Sequence, residues 1–282
     1  MLEALPEYRV KARNTSADSE NKIHDDAGAR QYGFRGALVP GVTVYAYLTQ
    51  PVVAALGEPW LGRGTAAVRF VAPIFDGEEV LVTGAVTGRE ASGVTATLRA
   101  STTAGGECAL LEVTVPAGPS TPVNLAYYPT APLPSERPPV NRAVLERPGP
   151  LGTPEVAYDE TLASDWLERV SEPLDIYRGS GAWIHPAFFL NQSNRALSRN
   201  VRLGPWIHVS SRVRHLGGAR LGQTLSTRGR VRSLWEKKGR EYVELDLVVM
   251  ANARPAAHLL HTAIYRMPTP AVRAEAGGEA SL

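Results

Sequence analysis

The chain has 282 residues, 44% of them hydrophobic and 21% charged, a make-up that supports one large folded unit or two ordinary ones. Thirty Lys and Arg against 28 Asp and Glu leave a formal charge of +2, so there is no overall electrostatic footprint for nucleic acid or an anionic membrane. No apolar run approaches bilayer length and the first residues lack a signal-peptide pattern, which predicts a cytoplasmic protein with no membrane span. The single cysteine, Cys108, excludes an internal disulfide and a multi-cysteine metal site; set among strand formers, it reads as a buried, inert thiol.

In chain order, Tyr8–Arg13 reads as a strand. The polar stretch "RNTSADSENKIHDD" follows, with Asp18, Glu20, Asn21, His24, Asp25 and Asp26 crowded into one loop. Then "RGALVPG" leads into an apolar helix that Pro51 interrupts near its end. Three or four strands rich in β-branched residues follow as far as Pro116, separated by glycine turns. From Pro116 to Pro154 the chain carries half of its 22 prolines, which excludes a helix or a central strand there. This segment is predicted to be an extended linker, laid on a domain surface by Leu125, Tyr127, Tyr128 and Leu133.

The second half repeats the order. "EVAYDE" is a strand, "LASDWLERVSE" a short amphipathic helix, and "YRGSGAWIHPAFFLNQSNRALS" a glycine-rich entrance to a second long helix. Four strands follow, two of them joined by a hairpin at "EKKGRE". Landmarks recur in step: Arg35-Gly36 answers Arg178-Gly179, and Leu61-Gly62 answers Leu203-Gly204. A long apolar helix followed by antiparallel strands implies a sheet wrapped round that helix, because each must bury its apolar face against the other. The predicted fold class is therefore α+β, a tandem or double hotdog with two long helices each wrapped by an antiparallel sheet. The copies span 1–116 and 155–270, the linker 117–154, and a disordered tail 271–282. They would form an internal pseudo-dimer that covers each other's sheet edges; pairing into a homodimer is left open.

Asn21-Lys22-Ile23-His24, Asp26, Phe34 and Pro40-Gly41, followed by Phe70, Pro73, Gly77 and Val80, resemble the signature of the MaoC-like (R)-specific enoyl-CoA hydratases and acyl dehydratases. The resemblance covers most of the first half. It implies reversible addition of water to a 2-enoyl thioester, with His24 as the acid–base residue, Asn21 fixing the loop or the substrate, and the Gly41 amide as oxyanion donor beside Pro40. In the family a carboxylate lies five residues before the histidine. Here Ser19 holds that place, so Asp18 or Glu20 would partner His24, and Pro40 replaces the family's histidine before Gly41. "HPAFFLN" is similar to a motif of polyketide synthase dehydratases through His185, Pro186 and Ala187; Leu190 replaces its Asp, and Asn191 follows.

The chemistry needs a base for water, a proton for the α-carbon and donors for an enolate oxygen. An imidazole titrating near neutrality, and helix-start amides, supply such roles. Expected substrates are acyl-CoA or acyl carrier protein thioesters of fatty acid or polyketide metabolism, with no cofactor. The remaining alternatives are a hotdog thioesterase and a non-catalytic double hotdog that binds an acyl or polyketide-like ligand. His208, His215, His258 and His261 alternate within strands without ligand spacing, so no metal site is predicted. His258 and His261 would face opposite ways. Arg212, Arg214, Arg220, Arg228, Arg230 and Arg232 recur at even spacing and suggest a basic sheet face.

Overall fold

The structure, a computed structural model, describes residues 3–103 and 106–268; the predicted disordered tail at 271–282 lies outside the described residues. The first half comprises β1 (Tyr8–Lys11), α1 (Asp26–Gln31), α2 (Gly41–Arg63), β2 (Thr65–Phe70), β3 (Glu79–Glu90), β4 (Gly93–Thr102) and β5 (Gly106–Pro116). After α3 (Arg142–Leu145) come β6 (Glu155–Ala157), α4 (Glu160–Arg169), α5 (Pro186–Ser198), β7 (Ile207–His215), β8 (Thr224–Lys237), β9 (Arg240–Ala251) and β10 (Arg254–Arg266).

All ten strands join in one antiparallel sheet of order β1-β3-β4-β5-β2-β7-β10-β9-β8-β6. Read outward from the β2–β7 seam, the two halves run through the same positions, so the order is a palindrome of two five-stranded units. The seam pairs Thr65 with Arg214 and Ala67 with Arg212, which removes one edge from each unit. The edges that remain, β1 and β6, are short, which limits pairing with another chain. Lys238 and Gly239, both at positive φ, form the two-residue turn of the predicted β8–β9 hairpin.

Helices α2 and α5 lie against each other and against the sheet. Tyr45, Leu48 and Trp60 of α2 and Phe188, Phe189 and Leu190 of α5 share one apolar core with Leu98, Leu111, Leu247 and Leu259 of the strands. Of the two long helices that the sequence predicts, α2 is long but broken, and α5 is shorter. Pro51 sits inside α2 without ending it, and the break comes instead at Gly57, whose φ of 55° and ψ of −146° are non-helical. Pro59 then falls in the first turn after that break, where a missing backbone donor costs little. Helix α5 is shorter because Pro186 forces the residue before it out of helical conformation, so the glycine-rich entrance stays outside the helix.

Between β5 and β6 the chain forms no strand among the described residues. Tyr128 is buried against Val248 and Met250 and donates to Asp246 at 2.8 Å, which lays the segment on the outer sheet face. His258 reaches the same carboxylate at 2.8 Å, whereas His261 is buried on the other face. Arg220 leaves the predicted basic row: it lies between β7 and β8, its guanidinium 3.6 Å from the Trp183 ring centroid. Cys108 is buried, as its neighbours implied, and burial raises its thiol pKa. Among the described residues no helix is long and apolar enough to cross a membrane.

Candidate active site

The polar loop is held by its own side chains. Asn21 caps the 3₁₀ turn Lys22–His24, and Asp25 accepts the Gly28 N–H at 2.6 Å to cap α1. Asp26 accepts the Ala37 N–H at 2.8 Å, and Asn14 donates to the His24 carbonyl at 2.7 Å. Ile23 is buried with Ala29 and Leu38, so the loop has a small apolar core of its own. Asp25 and Asp26 are thus occupied in shaping the loop.

Asn21 joins the loop to the other half of the molecule. Its amide nitrogen donates to the Trp206 carbonyl at 3.0 Å, and its oxygen accepts the Trp206 N–H at 3.1 Å and the Ile23 N–H at 3.4 Å. Of the two predicted roles for Asn21, these bonds describe the fixing of the loop.

His24 is largely enclosed. Its Nδ1 lies 2.8 Å from the Leu38 carbonyl oxygen, which can only accept. Nδ1 therefore carries the proton, and in the neutral ring Nε2 is the acceptor. Burial lowers the His24 pKa below the ordinary imidazole value, with the Leu38 bond partly opposing, so the ring is neutral near pH 7.

A cavity of about 330 Å³ adjoins His24, walled by Asn21, Leu38, Pro40, Gly41, Val44, Phe70, Ile74, Asn194, Trp206 and His208 among others. The wall is mostly apolar and includes no carboxylate. Gly41 is the first residue of α2 and lines the cavity; Pro40 before it makes no side-chain cap, and its carbonyl takes the Thr43 and Val44 N–H groups at 2.9 and 3.2 Å, which leaves the Gly41 and Val42 amides without a hydrogen bond among the described residues. A second cleft of about 310 Å³ shares Asn21, His24, Pro40, Asn194 and Trp206 with the first and adds Arg137, Asn191, Arg195 and Arg199. Arg195 and Arg199 have no salt-bridge partner among the described residues, and burial lowers the Arg195 pKa, with Arg199 adding repulsion.

The structure therefore brings together His24, Asn21, Pro40 and Gly41, with Asn191 in the adjoining cleft. Asp18 is exposed and lines neither space. Glu20 reaches the second cleft but is held outward by Arg137 at 2.8 and 3.0 Å. His185 is fully buried away from both: its Nδ1 accepts the Ala187 N–H at 3.1 Å, and its Nε2 donates to Glu172 at 3.1 Å. Neither predicted carboxylate partner meets His24, because the loop turns its acids toward caps, solvent and Arg137.

Sequence reasoning missed His208, Asn194 and Trp206, all contributed by the second half. In the sequence His208 is one of several strand histidines without ligand spacing. A β-bulge redirects it: Ser210 pairs with Thr262 and His208 with Ala263, which leaves Val209 as the extra residue.

The palindromic sheet around two packed helices is the double hotdog architecture. No known protein-family profile and no curated protein matches the sequence. Among solved structures, a MaoC-like dehydratase superposes with a TM-score of 0.60 at 13% identity, over 93% of this chain and 98% of its own. Rv0216 of Mycobacterium tuberculosis, a conserved protein described as having a double hotdog fold, gives 0.58 at 16% identity over 92% of this chain and 96% of its own. A protein of Lactobacillus plantarum provisionally named an oleoyl thioesterase gives 0.55 at 9% identity over 95% and 98%. At such identities the likeness establishes the fold and leaves the chemistry to the residues.

Proposed function

We propose that the protein is an acyl-thioester hydratase or dehydratase in which His24 carries the proton and the Gly41 amide holds the thioester oxygen. One observation carries this reading: a half-buried, neutral imidazole commits Nδ1 to Leu38 and keeps Nε2 as its acceptor, in the wall of an apolar cavity also lined by Gly41 at the start of α2.

In the dehydration direction, Nε2 takes the α-proton of a 3-hydroxyacyl thioester and the C–H electron pair moves onto the carbonyl oxygen as an enolate. The Gly41 amide and the positive end of the α2 dipole stabilise that charge. The enolate then re-forms the carbonyl, expels the 3-hydroxyl, and the imidazolium returns the same proton to the departing oxygen as water. His24 begins and ends neutral. One imidazole on one face of the substrate serves both transfers, so a wall without a carboxylate is compatible with the reaction. Hydration is the reverse.

The cleft with Arg137, Arg195 and Arg199 suits the phosphates of a coenzyme A or phosphopantetheine carrier, while the acyl chain occupies the apolar cavity. The test is absorbance at the enone band with crotonyl-CoA and longer 2-enoyl-CoAs. The band decays with wild-type protein, and His24→Ala and His24→Gln abolish the decay. Hydrolysis of the thioester also removes this band, so release of free thiol in step with the decay favours the thioesterase reading, decay without free thiol favours the hydratase, and neither signal favours a binding protein.

A further inference from the structure

His208 is placed and tuned as a functional group would be, and nothing in the reaction above uses it. It projects from β7 of the second half into the cavity of the first. Only 6% of it is exposed, and its Nδ1 makes no hydrogen bond of good geometry among the described residues; the Ser210 backbone lies close enough to the ring to offset part of the lowering of its pKa by burial. A Cβ added to Gly41 would lie 3.2 Å from that Nδ1, so the nitrogen sits beside the start of α2. Phe70 packs edge-on against the ring at a centroid distance of 4.8 Å and fixes its plane.

Behind the ring runs a short buried chain. His208 Nε2 lies 2.8 Å from Ser211 Oγ, and Ser211 Oγ lies 2.9 Å from His261 Nδ1. The bulge at Val209 makes this possible, since residues three apart in a regular strand face opposite ways. Ser211 has one proton, so when it donates to one imidazole it accepts from the other. If His208 Nε2–H donates to the serine, the leftover N–H is at His261 Nε2, which is buried with no partner. If His261 Nδ1–H donates, the leftover N–H is at His208 Nδ1, where a ligand in the cavity can accept it. Buried N–H groups without partners are rare, which selects the second arrangement once a ligand is bound.

We propose that His208 is a second catalytic residue, donating from Nδ1 to the substrate's carbonyl oxygen beside the Gly41 amide, with Ser211 and His261 as positioning residues that fix its tautomer. The proposal rests on the acyl-thioester reading for the identity of that oxygen. It gives the site an oxyanion donor from each half of the molecule, so neither half is complete alone.

The test uses the full chain, two coenzyme A derivatives and a set of variants. One derivative replaces the thioester sulfur by methylene and keeps the carbonyl; the other is an alkyl thioether without it. Wild-type protein binds the ketone about a hundredfold more tightly, as two further hydrogen bonds to the ligand imply, one from Gly41 and one from His208. His208→Leu cuts the preference about tenfold and leaves the part due to the Gly41 amide. His208→Asn keeps most of the preference, because the asparagine N–H stands near the position of Nδ1–H, whereas His208→Gln places its amide near Nε2 and does not. With crotonyl-CoA, His208→Leu lowers kcat about a hundredfold, and Ser211→Ala lowers kcat with KM unchanged. A ketone preference that His208→Leu leaves intact, or no preference in wild type, overturns the proposal even where the enzyme hydrates crotonyl-CoA. A His208-dependent preference in a protein that hydrates nothing overturns the hydratase reading and leaves the proposal standing. If His208→Leu fails to fold, the Asn and Gln pair decides, since a purely structural role does not separate the two.

Discussion

Replacing Asn21 by Ala tests whether this side chain serves the fold or the substrate. The native amide makes three hydrogen bonds, two of them to the backbone of Trp206, a residue only 8% exposed. Alanine leaves the Trp206 N–H and carbonyl, and the Ile23 N–H, without this partner. Each buried group orphaned in this way costs about 1–3 kcal/mol, and the Trp206 pair alone gives a loss of about 2–6 kcal/mol, of which some is recovered by water entering the cavity. Urea unfolding followed by tryptophan fluorescence should then show the midpoint lowered by about 1 M or more, given a slope of roughly 2–3 kcal/mol per M. Asn21→Asp separates the parts: its oxygen still accepts the two N–H groups, but it cannot donate to the Trp206 carbonyl, so its loss is smaller. Saturating substrate restores the turnover of whatever fraction is folded. An Asn21→Ala protein as stable as the parent, with KM raised instead, would falsify the view of Asn21 as a staple between the halves.

Gly41→Ala puts a methyl group 3.1 Å from Phe70 Cε2 and 3.2 Å from His208 Nδ1, contacts too tight by a few tenths of an ångström. It should lower kcat/KM by at least about tenfold while urea stability changes by less than about 1 kcal/mol, since alanine suits a helix start. Asp18→Asn should leave kcat/KM within about twofold, because a surface substitution with no contact at the site shifts energies by under ~0.5 kcal/mol; a tenfold loss would return Asp18 to the active site. His215 is fully buried with neither ring nitrogen paired, and burial lowers its pKa to about 4. Its folded pKa lies below the unfolded value near 6.5, so the unfolded chain takes the proton first, and the stability present above about pH 6.5 is lost as the pH falls toward 4. Over that interval the loss is about 3 kcal/mol, and His215→Leu should remove it; parallel stability curves for the two proteins between pH 7 and 4.5 would refute the assignment.

The architecture was legible because it rests on features that sequence carries directly. Helix and strand periods, glycine turns and the repeated Arg-Gly landmarks gave two equal units, and the palindromic sheet is what two such units form. The helix lengths were less legible: an interior proline at 51 is a local signal, but burial of the surrounding turns by the sheet overrode it, and Gly57 took the break instead. At the candidate site, motif spacing places His24 and Gly41 on one loop and the helix that follows, and both line the cavity. Spacing along a loop does not say which way a side chain turns, and Asp18 lies exposed outside the cavity. His208 was unreadable for a different reason: its partner Ser211 lies on the wrong face of an ideal strand, and only the extra residue Val209, set by pairing with β10, brings the two together.

The two halves share a topology, yet only one helix start is open, and two side chains explain the difference. Before α5, the His185 ring fills the cap position, accepts the Ala187 N–H and ties itself to Glu172, two buried groups that satisfy each other. Removing either partner would leave the other buried and unpaired, a loss of about 3–5 kcal/mol, so this end is committed to stability. Before α2, Pro40 has no side-chain acceptor, and the Gly41 and Val42 amides that follow have no hydrogen bond among the described residues, while Thr43 and Val44 donate to the Pro40 carbonyl. The first half thus keeps a helix start without a side-chain cap, and the second closes its own with a buried histidine and carboxylate. The proposed site would therefore lie between the halves: His24 and Gly41 of the first line a cavity with Trp206 and His208 of the second, and Arg195 and Arg199 of the second meet Arg137 of the connecting segment in the adjoining cleft.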